Sequence, residues 1–201
     1  MAFTYFFRDV QTLEMVRDYA LPSLRTRRYI NIWDAGCAMG PEPYTLAIIL
    51  RESMSQMYFR NIRIKASDID ASNLFGKIIR EGIYSHQQVQ RIPAEIFKKY
   101  FQEAELDGHY QIIDEIRRAV SFQKHDLLSL HPVGSDLGLV ICKNVLLHFQ
   151  GEQRIKVIQM FYDALMKEGF LVFEQTQALP KEVSHLFEPV VSNAQLFRKR
   201  A

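Results

Sequence analysis

Cysteine is scarce: Cys37 and Cys142 are the only two in 201 residues. A pair in such different contexts makes no disulfide framework, so the chain reads as a cytoplasmic protein in a reducing compartment. Neither sign of charge is in excess, since 25 basic and 23 acidic residues leave a formal net charge of +2. That balance gives no electrostatic ground for nucleic acid or an anionic membrane as the main partner. No apolar run approaches the ~20 residues of a spanning helix, so membrane insertion is not expected. The first nine residues lack the basic n-region and apolar core of a signal peptide. Repeats, low-complexity tracts and Pro/Gly/Ser-rich linkers are also missing, so residues 1–201 are expected to form a single domain. The six histidines, at 86, 109, 125, 131, 148 and 185, show no ligand spacing, and no metal is expected.

What is present is an alternation of strand and helix signals. Asp9 is placed to cap a helix carrying Leu13, Val16 and Ala20, which Pro22 is expected to stop. Residues 29–34 alternate into a glycine-containing turn, and 41–53 reads as a helix with proline in its first turn. A second unit follows, with a strand over 62–67, a turn at 68–70 and a helix over 71–80 capped by Asp70. Further strands are expected at 119–123, 137–142 and 169–174, a long amphipathic helix at 152–167, and a terminal strand pair near 187–191 and 195–199. The pattern predicts an α/β fold with a mostly parallel sheet covered on both faces. Residues 82–118 interrupt it with a short helix, 93–101, and an Asp107-Gly108 hairpin signal. Spacing alone leaves two readings, an inserted subdomain or an elaborated surface crossover.

Two clusters carry chemistry. Asp34-Ala-Gly36-Cys-Ala-Met-Gly40 follows the first strand, where glycines let backbone amides approach a ligand and where open α/β sheets bind ligands. Its spacing is neither G-x-G-x-x-G nor the phosphate-loop pattern, which favours a ligand without a pyrophosphate; a turn kept for chain geometry is the alternative. Asp68, directly after the second strand, is placed to accept both hydroxyls of a ribose, or else to cap a helix. Asp70 is better placed for the cap, which favours the ligand role for Asp68.

Five ordered motifs, Thr4-Tyr-Phe-Phe-Arg8, Trp33 to Ala47, Ala66 to Asp70, Gly82-Ile-Tyr84 and Cys142 to Phe149, resemble those of the CheR-type chemotaxis receptor (protein-glutamate) methyltransferases. The resemblance implies a Rossmann-like class I methyltransferase sheet with an antiparallel C-terminal strand and S-adenosyl-L-methionine across the strand tips, left as S-adenosyl-L-homocysteine. It places Asp68 on the ribose, Glu42 near the methionyl ammonium, and Gly36 and Gly40 in the turn beneath. Asp126 and Leu127 would flank the adenine, Lys143 and Asn144 would line the floor, and Thr4 and Arg8 would close over the methionyl end. Arg8, Lys143 and His148 are the implied catalytic groups. The insertion at 82–118 is similar to the family's small β-subdomain, a candidate docking surface for a chemoreceptor-like protein substrate.

A glutamate carboxylate is ionised at neutral pH, so methyl transfer from a sulfonium needs alignment and no general base. Three positions depart from the family pattern: Pro41-Glu42 for two acidic residues, Lys143 for arginine and His148 for tyrosine. Lysine lacks arginine's bidentate fork. His148 either stands beside the sulfonium, where it must be neutral, or is a histidine at a helix end. The family's N-terminal helical domain is not matched, so a separate partner chain is a candidate for substrate recognition. These departures sustain an alternative, a non-catalytic module that binds S-adenosylmethionine or S-adenosylhomocysteine as a regulator or sensor.

Overall fold

The computed structural model describes residues 4–200. Ten strands occur among them: β1 Ile30–Ala35, β2 Ile62–Asp68, β3 Ile83–Ser85, β4 Phe101–Glu103, β5 His109–Ile112, β6 Val120–Lys124, β7 Leu137–Cys142, β8 Leu165–Phe173, β9 Phe187–Pro189 and β10 Leu196–Lys199. Seven make one sheet in the order β6-β2-β1-β7-β8-β10-β9. Its pairings are parallel from β6 through β8, and β10 lies antiparallel to both β8 and β9.

Strands buried on both faces need apolar residues at successive positions, and β7, Leu-Gly-Leu-Val-Ile-Cys, is buried throughout. Its side chains alternate between two cores. Leu139 and Ile141 join a cluster with Ile32 and the helix Pro41–Glu52, while Val140 and Cys142 join Trp33 and the helix Gly151–Ala164. Trp33 is fully buried, and its indole N–H donates to Ser67 Oγ at 2.8 Å, which locks β1 to β2 by a side-chain bond.

Four expectations fail locally. Pro22 does not stop the first helix: Val10–Met15 runs through a π-turn at Val16–Ala20 into Leu21–Leu24, and the Leu21 N–H bonds Val16 O. The widened turn places Pro22 in the first turn of the final segment, where its missing N–H is tolerated. Asp9 heads this helix in a left-handed conformation (φ 49°), and its carboxylate accepts from Thr12 Oγ1 instead of a backbone N–H. The second helix begins at Phe75, four residues later than expected, because Asp70 and Asn73 adopt positive φ (40° and 57°). The Gly151 helix ends at Ala164, and residues 165–167 already belong to β8.

Between β2 and β6, strands β3, β4 and β5 form a separate antiparallel sheet in the order β3-β5-β4, with Gly108 at positive φ (67°) in the hairpin turn. Phe6 from the N-terminal segment packs edge-on against Tyr84 (4.9 Å) and Phe101 (5.5 Å) of this sheet. The small sheet therefore shares a core with the segment that precedes the first helix.

Candidate active site

The parallel strands end on one edge, and the turns that leave them build the site. The turn after β1 is stapled to the end of β2: Gly36 and Cys37 N–H both donate to Ser67 O (2.7 and 3.0 Å). Gly36 has φ +102°, and a Cβ there would stand 2.1 Å from Val145 Cγ2, so only glycine lets the turn pass under the β7 loop. Gly40 also has positive φ (98°), and its Cβ would meet Ile79 and the Tyr84 hydroxyl. Tyr84 in turn donates to Met39 O at 2.8 Å, which ties the small sheet to the glycine turn.

Asp68 closes this arrangement from β2. Its Oδ2 accepts from Ala38 N–H and its Oδ1 from Asp70 N–H, both at 3.0 Å. Asp70 is a cap of unusual reach, accepting from the backbone of Leu74 (3.0 Å), Phe75 (3.2 Å) and Gly76 (3.4 Å). Burial raises its pKa, but these hydrogen bonds outweigh it and hold the carboxyl below the ordinary aspartate value.

Lys143 and Asn144 leave β7 beneath the glycine turn. The Lys143 ammonium lies 2.8 Å from Glu42 Oε2 and 3.3 Å from Asp9 Oδ2, with its side chain 1% exposed. Burial pulls its pKa down, yet the two carboxylates prevail and raise it. Asn144 is left-handed (φ 59°), and its N–H donates to Glu174 Oε2 at 2.9 Å, just beyond β8. Left-handed backbone at Phe7, Asp9, Ala38 and Asn144 concentrates strain around one site, as functional sites commonly do.

These elements enclose a cleft of about 370 Å³, lined by Thr4, Tyr5 and Arg8 on one side, Gly36, Cys37, Ala38, Glu42 and Thr45 on the second, and Lys143, Asn144, Leu147 and His148 on the third. The volume suits a small molecule or cofactor. Thr45 Oγ1 accepts from Phe7 N–H at 3.0 Å, which fixes the N-terminal segment against the helix Pro41–Glu52. One layer below, Asp34 is fully buried, and neither of its carboxyl oxygens has a hydrogen-bond partner among the described residues. Burial, then the Glu42 charge, pushes its pKa well above the ordinary value against the opposing pull of Lys143. Full burial without a hydrogen-bond partner favours the neutral form of this carboxyl.

Of the residues singled out from sequence, Thr4, Arg8, Gly36, Glu42, Lys143, Asn144 and His148 come together on this cleft. Asp68 stands one hydrogen bond behind Ala38, and Gly40 packs behind the turn. Asp126 is exposed and caps the short helix Leu127–Ser129 through Leu128 N–H (2.9 Å), while Leu127 is buried beneath it. Sequence reasoning placed Asp34 in the glycine-turn cluster without a role of its own and did not single out Asp9 or Glu174 as site groups. The signal was an acidic residue at the carboxyl end of an apolar stretch, Asp34 next to last in β1 and Glu174 directly after β8. The acidic end of the cleft and its glycine turn fit a ligand with a positively charged head and no pyrophosphate. Among the described residues no cluster of three or more His, Cys, Asp or Glu is placed to hold a metal.

A chemotaxis protein methyltransferase 2 of Vibrio cholerae is 31% identical over 92% of this chain and 64% of its own length. A chemotaxis protein methyltransferase of Borreliella burgdorferi is 30% identical over 88% of the chain and 64% of its own length. The chain thus spans somewhat less than two thirds of these relatives. Among solved structures, the rRNA methyltransferase aviRa of Streptomyces viridochromogenes superposes with a TM-score of 0.58 at 14% identity, covering 98% of this chain and 86% of the other. The N-methyltransferase NodS of Bradyrhizobium japonicum, in complex with S-adenosyl-l-homocysteine, gives 0.51 at 15% identity over 98% and 90%. At such identities these two establish the Rossmann-like methyltransferase fold alone. Residues 2–195 match the family described as CheR methyltransferase, SAM binding domain, and the chain belongs to that family, with S-adenosylmethionine as its cofactor.

Proposed function

We propose that this chain transfers the methyl group of S-adenosylmethionine to glutamate side chains of a chemoreceptor-like protein in the cytoplasm. The observation that carries the reading is the cleft, in which Glu42 and Lys143 form a charged end and Arg8 and His148 stand on its walls. S-adenosylmethionine supplies an electrophilic methyl group on a sulfonium.

Each residue then has a limited task. Glu42 receives the ligand's ammonium beside Lys143, Asp68 holds the ribose hydroxyls, Asp126 and Leu127 flank the adenine, and Thr4 with Arg8 covers the methionyl end. Lys143 is already committed to Glu42 and Asp9, so orienting the acceptor carboxylate falls to Arg8, with His148 beside it. With the cofactor bound, Arg8 and His148 would hold the acceptor oxygen in line with the methyl group, where the carboxylate and sulfonium charges would be lost together. Alignment and exclusion of water therefore supply most of the rate.

The small sheet is the docking element in this reading, supported by the Tyr84 bond to Met39 that links it mechanically to the glycine turn. No helix among the described residues is long and apolar enough to cross a membrane.

The test is transfer of labelled methyl groups to proteins of a chemoreceptor-rich membrane fraction, scored by release in mild base. Base-labile label identifies carboxyl methyl esters and supports the proposal. Cofactor binding without transfer favours the regulatory module instead.

A further inference from the structure

The function above explains Glu42 and Lys143 but leaves Asp34 without a task. Buried polar groups are hydrogen-bonded almost without exception, and a carboxyl with two orphan oxygens calls for a reason. Asp34 sits in the middle of the sheet, opposite Ala66 of β2 and Ile141 of β7, so no backbone change relieves it. The charged groups that face it come from every neighbouring element: Glu42 from the helix Pro41–Glu52, Asp68 from the end of β2 and Lys143 from the end of β7. Cys37 in the glycine turn and Cys142 at the end of β7 are the nearby thiols, both buried. Asp9 acts through Lys143.

The surroundings are balanced against a single further negative charge. Lys143 is shared between Glu42 and Asp9, and its pull on Asp34 is outweighed by burial and the Glu42 charge. Burial without a hydrogen-bond partner favours a proton on Asp34. A positive charge arriving on the cleft side of Glu42 alters that balance, because charges interact strongly across a water-poor interior.

We propose that Asp34 determines ligand specificity by charge, giving up its proton when a ligand bearing both an ammonium and a sulfonium enters the cleft and keeping it when only the ammonium is present. The inference rests on S-adenosylmethionine being the ligand. Substrate and product differ by one positive charge at sulfur, since transfer turns the sulfonium into a neutral thioether. Asp34 is then a carboxylate under the reactive cofactor and takes a proton back from solvent once the methyl group has left. The cleft so favours the cofactor over its product and assists product release.

The test is calorimetric titration of the full chain with S-adenosylmethionine and, separately, S-adenosylhomocysteine between pH 6 and 8, in phosphate and in Tris to count protons. S-adenosylmethionine should release protons and gain affinity with rising pH, up to about tenfold per unit for one proton. S-adenosylhomocysteine should show neither. Asp34→Asn, an isosteric and permanently neutral replacement, should abolish the proton release and flatten the first profile onto the second. Parallel profiles in the unmodified chain, or a difference that persists in Asp34→Asn, would overturn the inference while leaving the cofactor assignment intact. Binding of neither ligand would overturn that assignment and the inference with it.

Discussion

Lys143 and Glu42 form an ion pair at 2.8 Å whose cationic partner is 1% exposed and whose anionic partner is 17% exposed. The residues are about a hundred positions apart, one directly after β7 and one in the first turn of the Pro41 helix. The same ammonium reaches Asp9 of the N-terminal segment. One lysine thus joins the three walls of the cleft.

Removing it should be expensive. Lys143→Met leaves Glu42 and Asp9 unpaired above the buried Asp34, and breaking such a pair lowers stability by about 3 kcal/mol. Urea denaturation at neutral pH should show a lower midpoint, whereas Lys143→Arg should retain most of the stability. The raised pKa fixes the pH range: the stabilising effect is full below the ordinary lysine value of 10.5 and fades as pH rises through the folded value above it.

Asp34 has the opposite consequence for folding. Its folded-state pKa is raised well above the unfolded value of 3.8 by burial, so above 3.8 there is a pH range in which the folded chain keeps a proton that the unfolded chain has lost. Its contribution is most favourable below 3.8 and is lost as pH rises toward the folded value. Asp34→Asn should therefore be more stable than the unmodified chain at pH 7, with the gap closing toward pH 4. A constant gap across that range in thermal melts at several pH values would contradict protonation of Asp34 in the folded state.

Gly36→Ala tests the glycine turn. The added methyl group meets Val145 Cγ2 at 2.1 Å in a backbone conformation that disfavours alanine, and strain with overpacking should amount to about 2–3 kcal/mol. Because Val145 adjoins Asn144 on the cleft floor, S-adenosylhomocysteine affinity should fall as well. Denaturation and titration on the same preparation measure both losses.

Asp68 and Asp70 should separate cleanly. Asp70→Ala removes the acceptor for three backbone N–H groups and should lower stability by about 1–2 kcal/mol, as for other lost helix caps. Asp68→Ala should weaken cofactor binding at least tenfold, which corresponds to about 1.4 kcal/mol. Unchanged affinity in Asp68→Ala would remove that residue from the site, and unchanged melting of Asp70→Ala would remove the cap.

Sequence alone determined the order of elements, because period-2 and period-3.6 patterns and the glycine turn are local signals. The apolar run of β7 marked a strand, Gly36 and Asp68 stood out because each lies at a strand end, and Glu42 because it falls in a short motif at the start of the following helix. Tertiary structure alone decided the rest. The Pro22 helix continued because a π-turn absorbed the proline, and the Phe75 helix started late because Asp70 and Asn73 took left-handed conformations. The buried Asp34 and the three-way pairing of Lys143 with Glu42 and Asp9 depend on groups brought together from residues 9, 34, 42, 68 and 143. No local pattern encodes such proximity, since the energy of a charge is set by what surrounds it in space and not by its neighbours along the chain.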